Sequence, residues 1–451
     1  MFQDEELKDI ATKVLHKLEQ KLNLTEAEVY IQSLSHMLGG NEYRTPKVYQ
    51  SINKEGCAIR FYKDDKLYFA CFPLRTVLTD IEKIQSITTF PIECKRFEFP
   101  EIKMSQTEIS KIYDKRIASM NEEEIYSLSY SMSNTDEKMK DIILDGSIRL
   151  SLERKVIANS TQSIAFEKST WCDIYLRALY RGYNMISSAE KHLTSRQIPS
   201  SVTSIVEDLV NETIRRATIS DNLSNLKVAV VFSPMAFSQI FSFTLIPKLL
   251  TRESTSIEEL EFSNDFNLVD DGTVPGLPNS TAFDDEGISQ SKTFILNKGQ
   301  FISGLNNSQF SSDTEEKTGN SFRIKMFEEF PRSYQAYPNI YPSNLIIGEG
   351  TSSLDQYFED TKECILINST QGYMTADYHS GTFKVSANDA YKIKKGKIVG
   401  ALPTFDLIGN MFEVLKENPI FLKERKVVRP INTPYSILAP FLATEKTTIF
   451  P

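Results

Sequence analysis

DDGTVPGLPNSTAFDDEGISQSKTFILNKGQFISGLNNSQF, residues Asp270 to Phe310, is the stretch whose reading decides the fold. It opens as a loop rich in Gly, Pro, Asn and Asp, residue types that tolerate positive φ and sharp turns. Its middle holds Phe283-Asp284-Asp285-Glu286-Gly287, three successive acids closed by a glycine. Thr293–Leu296, a Lys298-Gly299 turn and Gln300–Ser303 then read as a β-hairpin. Composition alone makes the acids a solvated turn. A second reading has them accept backbone N–H groups, with Gly287 supplying the turn. A third has three mutually repelling carboxylates raise one pKa for acid–base work. No nucleophile or second base in the sequence goes with them.

Working outward, 451 residues with a net charge of −9 predict two or three domains and weigh against a chain that grips nucleic acid directly. The acidic amino terminus, MFQDEELKDI, lacks an apolar signal core, and no run approaches the length of a membrane span. Cys57, Cys71, Cys94, Cys172 and Cys364 are odd in number, widely spaced and without a CxxC, which predicts reduced thiols. The expected location is the cytoplasm.

Asp4–Gln20 places Leu7, Ile10, Ala11, Val14, Leu15 and Leu18 on one helical stripe. Ala27–Leu38 reads as a strand ending at Gly39-Gly40, with Lys47–Ile52 as a second strand. Cys57–Tyr62 and Lys66–Cys71 flank a Lys63-Asp64-Asp65 turn, which sets Cys57, Ile59 and Phe61 opposite Leu67, Phe69 and Cys71. Helices are predicted over Thr76–Ile87, Ser105–Met120 (with a Ser105/Glu108 capping box), Glu122–Tyr130 and Ser201–Thr218. Alternation from Ile142 to Leu179 predicts strands broken at Asn159-Ser160-Thr161-Gln162.

Lys227–Phe232 is a continuous apolar run, as in a strand buried on both faces, and Pro234 then opens a helix. Ala236–Leu250 contains no His, Glu, Asp or Cys, and His16, His36, His192 and His379 lie at no ligand spacing, so no metal is expected in this chain. Strands are predicted at Glu363–Asn368 and Gly372–His379, a second hairpin at Lys395-Gly396, and a helix from Met411. Pro430–Pro451 reads as a proline-dotted tail wrapping the domain or a partner. The fold class is α+β: an amino-terminal α/β domain, residues 1–220, followed by a β-rich, barrel-like carboxy-terminal domain, residues 221–451.

The order of these pieces resembles the TldD/PmbA family, also called modulators of DNA gyrase. The matching residues are Asp271-Gly272, Phe283–Gly287 and Lys298-Gly299, and upstream Glu55, Gly56, Ile59, Arg60, Phe69 and Ala70. Asn159-Ser160 matches a family turn in which Gln162 replaces the usual glycine, and Gly381, Gly409 and Asn410 match later elements. Catalytic TldD-type members carry HExxxH on the helix after the buried strand, so its absence here resembles the PmbA/TldE branch. The resemblance implies a non-catalytic subunit of a cytosolic zinc peptidase of unfolded or modified peptides. Its partner is then a TldD-type subunit that holds the zinc, or a second copy of itself in a homodimer. It further offers Asp284, Asp285, Glu286, Gly287, Asn159, Gly381, Gly409 and Asn410 as substrate or interface candidates. A stand-alone hydrolase with an unrecognised site, and a binding protein that modulates DNA gyrase, remain as alternatives.

Overall fold

The computed structural model describes residues 2–22, 24, 26–43, 45–81, 91–102, 109–133, 141–182, 186–218, 228–250, 260–311, 316–326, 328 and 330–450. Helix α1 (Asp4–Leu22) precedes three strands, β1 (Ala27–Glu42), β2 (Thr45–Lys63) and β3 (Lys66–Pro73). Short helices α2 (Val77–Asp80) and α3 (Lys115–Ser119) and the longer α4 (Glu122–Ser133) follow. Then come β4 (Ile142–Asn159), β5 (Ile164–Arg181), β6 (Ile186–Ser195) and α5 (Val202–Thr218). The six strands form one antiparallel sheet in the order β3-β2-β1-β4-β5-β6, so this half is α+β with no βαβ unit among the described residues.

Period-two alternation sorts this sheet into two unlike faces. Val29, Ile31, Cys57, Ile59, Phe61 and Val156 point to α1, while Ile148, Leu150, Cys172, Ile174 and Leu176 pack with Leu209 and Val210 of α5. The intervening residues, among them Glu28, Gln32, Arg60, Glu153, Lys155 and Glu167, project from the opposite face, yet all are buried. That face therefore needs a cover of matched polarity.

The cover comes from the rest of the chain. β7 (Ala229–Phe232) leads into α6 (Pro234–Leu250), then β8 (Leu268–Asp271), β9 (Lys292–Asn297), β10 (Gln300–Phe301), β11 (Ser321–Arg323), β12 (Pro338–Ile340) and β13 (Asn344–Ile347). After α7 (Leu354–Asp360) come β14 (Glu363–Gln371), β15 (Thr382–Lys394), β16 (Lys397–Ala401) and β17 (Phe405–Asn410). Helix α8 (Met411–Lys416), β18 (Ile420–Val428), β19 (Ser436–Thr444) and β20 (Thr447–Phe450) complete it. Twelve of these strands make one mixed sheet along the path β10-β9-β8-β13-β19-β7-β14-β15-β17-β20, with β16 and β18 paired to β15 and β19. Helix α6 packs on it through Phe237, Ile240, Phe241 and Leu245, all fully buried.

Several expectations are corrected. The second sheet is open, since among the described residues no pairing joins β10 to β20, so it is not a barrel. β1 continues through Gly39-Gly40 with only a bulge at Leu38/Gly39. The glycines are there because a Cβ on Gly39 would lie 2.5 Å from Ser129 Oγ and one on Gly40 2.2 Å from the Gly146 carbonyl. The β2–β3 turn is the two-residue Asp64-Asp65, both at positive φ, and not three residues. One residue fewer slips the register, so Cys57 opposes Phe72 and Arg60 opposes Phe69. Gly372–His379 is a 3₁₀ turn and loop, not a strand. The predicted Ser105/Glu108 cap, residues 82–87 and the 220/221 boundary lie outside the described residues.

The carboxy-terminal tail is no wrapper: β19 lies inside the second sheet, parallel to β13 and antiparallel to β7. Deleting residues 436–451 should therefore abolish the cooperative thermal transition of the second half, read by circular dichroism. Deleting only 447–451, which removes the terminal strand β20, should lower the melting temperature by a few degrees.

Candidate functional site

The acidic turn is buried, not solvated: Asp284, Asp285 and Glu286 are each at most 1% exposed. Gly287, at φ +83°, closes the turn, and its N–H reaches the Asp284 carbonyl at 3.2 Å. The Asp284 carboxyl accepts the N–H groups of Glu286 and Ile288, both at 2.9 Å, and of Ser321 at 3.0 Å. Asp285 accepts the Arg323 N–H at 2.8 Å, and Glu286 that of Ser308 at 2.9 Å. The three acids thus stitch their own turn to β11 and to the loop after β10.

The remaining capacity of Asp285 and Glu286 is taken by cations from the polar face of the first sheet and by Arg332. Arg60 lies 2.6 Å from Glu28, its cross-strand partner, and 2.8 Å from Glu286. Arg323 reaches the same Glu28 at 2.9 Å. Arg332 contacts Asp285 at 3.1 Å and Glu153 at 3.5 Å. Lys155 lies 3.6 Å from Asp285, and donates to the Phe283 carbonyl at 2.6 Å and to Thr281 Oγ1 at 2.8 Å. Glu167 accepts the Ala282 N–H at 2.6 Å. Rings of Phe97, Phe99 and Tyr337 lie around the Arg60 guanidinium, 5.4–5.7 Å from its carbon.

Burial pushes the carboxyls of Asp284, Asp285 and Glu286 up, and the neighbours decide the outcome. Burial is the largest single influence on Asp285, but Arg332, Lys155 and Arg323 together hold it below the usual carboxylate range. Against the same burial, Arg60 and Ser308 together do so for Glu286. Asp284 has no cation within salt-bridge distance among the described residues, and burial with the neighbouring Glu286 raises it well above that range. A second buried acid, Asp270, accepts from Asn320 Nδ2 at 2.6 Å and from the Ser343 N–H and hydroxyl at 2.8 and 2.9 Å. Burial pushes it up to about 7.

The other candidate residues divide between two places. Asn159, at the end of β4, donates to the Pro100 carbonyl at 2.7 Å and accepts the Thr161 N–H, and Gln162 takes the left-handed position at φ +61°. Gly287 belongs to the same corner, because a Cβ there would lie 2.7 Å from Ile102 Cγ1. Gly381, Gly409 and Asn410 form a separate corner of the second sheet. Asn410 caps α8 through the Phe412 N–H at 2.9 Å and ties Ser380 at 2.7 Å. Cβ atoms on Gly381 and Gly409 would meet Phe412 at 2.6 Å and Phe383 at 2.7 Å. The sequence reading passed over Glu28, Lys155, Glu153, Arg323 and Arg332, and read Arg60 as a structural motif residue. The available signal was charge at inward positions of otherwise apolar strands, as in CAIRFY and LSLERKVIA.

Zinc does not fit the residues where catalytic relatives would hold it. The polar side chains along the buried part of α6 are Ser238, Gln239, Ser242 and Thr244, none an imidazole, thiolate or carboxylate. Gln239 instead accepts the Thr370 N–H at 2.8 Å. Among the described residues no three His, Cys, Asp or Glu side chains are grouped to hold a metal ion.

Two outcomes follow from this geometry. Gly287→Val should destabilise the chain by about 2–5 kcal/mol, from a β-branched residue at positive φ and overpacking against Ile102, read by urea denaturation. Asp270 keeps its proton in the folded chain to higher pH than when unfolded, so its contribution to stability is lost as pH rises through about 7. Asp270→Asn should flatten that part of the stability profile, measured by denaturation on either side of neutrality.

Residues 225–445 match the PmbA/TldA metallopeptidase C-terminal domain. An uncharacterised protein of Methanocaldococcus jannaschii is 25% identical over 374 residues, 80% of this chain and 83% of that protein. A metalloprotease TldD homologue of Buchnera aphidicola is 27% identical over 194 residues, 40% of this chain and 38% of that protein. The crystal structure of TldE from Thermococcus kodakarensis has the same fold, with a TM-score of 0.82 at 21% identity over 98% of this chain and 100% of that one. The carboxy-terminal half of the chain thus carries a PmbA/TldD-family domain.

Proposed function

We propose that this protein is the non-catalytic, TldE-like subunit of a cytosolic peptidase whose zinc is held by a TldD-type partner and whose substrates are unfolded or modified peptides. The observation that carries this reading is α6: after β7 it offers Phe237, Ile240, Phe241 and Leu245 to the core and no metal-binding side chain. The likeness of fold to TldE supports the same branch. The acidic turn gives little support to an independent hydrolase, because its carboxylates are out of solvent and already bonded to Arg60, Lys155, Arg332 and backbone N–H groups. No helix of the described residues is long and apolar enough to cross a membrane.

The test is to measure zinc in the purified chain, then its oligomeric mass and peptidase activity alone and after mixing with a TldD-type zinc protein. The expected result is less than one zinc per chain, no activity alone, and a chelator-sensitive activity on mixing that accompanies a heteromeric species. Stoichiometric zinc with activity in the isolated chain would overturn the proposal.

A further inference from the structure

Four connections of the second sheet meet around an open pocket of about 430 Å³. They are the loop before β8, the β9–β10 turn, the loop after β13 and the entry to β18. Asn267 spans the first two: its Oδ1 accepts the Lys298 N–H at 2.8 Å and its Nδ2 reaches the Asp265 carbonyl at 3.5 Å. Its own carbonyl accepts the Gly348 N–H at 3.0 Å, at the root of the third. Gly350 draws in the fourth, since its N–H donates to the Leu422 carbonyl at 3.2 Å and a Cβ there would lie 1.8 Å from the Phe421 carbonyl oxygen. Beneath the site Phe421 stacks on Phe266 at 5.8 Å. Backbone ties therefore hold the walls and leave the lining side chains outside that frame.

The charges of the lining balance, but not by pairing with each other. Glu349 is answered by Arg425. What remains is one charge of each sign, Asp265 from the loop before β8 and Lys298 from the turn. Both are exposed, and no ion pair joins them or ties either to another described residue. The rest of the polar lining is amide and hydroxyl: Asn264, Asn297, Thr351 and Ser352. An asparagine amide both donates and accepts, as a peptide group requires of its partner. Ile420, 44% exposed, adds an apolar ledge.

We propose that this pocket binds a short zwitterionic peptide, a dipeptide with both ends free, its ammonium at Asp265, its carboxylate at Lys298 and an apolar side chain on Ile420. A simple anion or cation answers one of the two charges and leaves the other unmatched, whereas a zwitterion answers both. The volume lies toward the small end of ligand sites, which suits two residues better than a long segment. Asn267 fixes the backbone of both charged residues, so their spacing is set before any ligand arrives. Every group belongs to this chain, and the inference does not rest on the partner assigned above.

The experiment is calorimetric titration of the full chain, with no metal or partner added, using alanyl-leucine, its N-acetyl form, its C-terminal amide, and leucine. Alanyl-leucine should bind at one site per chain, and blocking either end should weaken it about three- to fivefold, the upper range for an exposed ion pair. Asp265→Asn should abolish the loss caused by acetylation and keep the loss caused by amidation. Lys298→Met should do the reverse. Lys298 stands at φ +48°, where an unbranched Met fits as Lys does, so both variants should melt near wild type. Equal binding of all four ligands, no binding of alanyl-leucine at millimolar concentration, or leucine binding as tightly as the dipeptide would overturn the assignment. A folded variant that keeps both end preferences would overturn the role given to its residue. If a variant does not fold, the wild-type ligand series still decides.

Discussion

Glu28 and Arg60 face each other across two strands in a part of the protein that water does not reach, and much of the molecule is arranged to make that tolerable. A buried guanidinium is stable only where its hydrogen bonds and charge are matched. Here the match needs Glu286 from a distant turn and, through Glu28, Arg323 from β11. The first sheet cannot satisfy its own polar face, and the covering segment, which answers Asp285 with its own Arg332, needs Arg60 of the sheet for Glu286. Each half is the other's solvent. Removing one partner of such a pair costs about 3–5 kcal/mol, far more than the pair gains over a well-packed apolar substitute. The network is therefore better understood as a device that fixes register between the halves than as a store of stability.

That constraint reaches a pocket of about 410 Å³ on the polar face of the first sheet. Arg332 is held by Asp285 and Glu153, and its neighbour Pro331 forms part of the pocket wall. Trp171, on the same sheet face, donates to the Pro278 carbonyl at 2.8 Å and meets Phe330 edge-on at 5.5 Å. Network and pocket thus share one sheet face and one covering segment, so what anchors the segment also shapes the cavity.

Elements with a strong period were legible in the sequence. Helices α1 and α5 follow their 3.6-residue stripes, the wholly apolar α6 follows Pro234 as expected, and the Lys298-Gly299 and Lys395-Gly396 hairpins sit at the predicted turns. The long strand β1 was cut short because glycine reads as a terminator, whereas here it admits Ser129 and the Gly146 backbone. The β2–β3 register depended on a single residue of turn length, and that residue decided that Phe72 and Ala70, rather than Cys71 and Phe69, share the face of Cys57 and Ile59. The acids were placed in a turn with a closing glycine and with backbone N–H groups as partners, which the geometry contains. Their cations come from as far away as Arg60, 226 positions before Glu286 in the chain, and no local pattern joins the two. Strand β19 was hidden by its proline: Pro440 lies within it, paired to Arg425 across a shifted register.

The most direct test of this account is amide hydrogen exchange on Arg60→Met beside wild type, followed at Ser308, Ser321 and Arg323. In wild type these N–H groups are donors to Glu286, Asp284 and Asp285. If the ion network couples the two halves, the single change in β2 should accelerate exchange at all three, far along the chain, and at β1 opposite. Unchanged protection at Ser308, Ser321 and Arg323, with loss confined to β2 and β3, would contradict it.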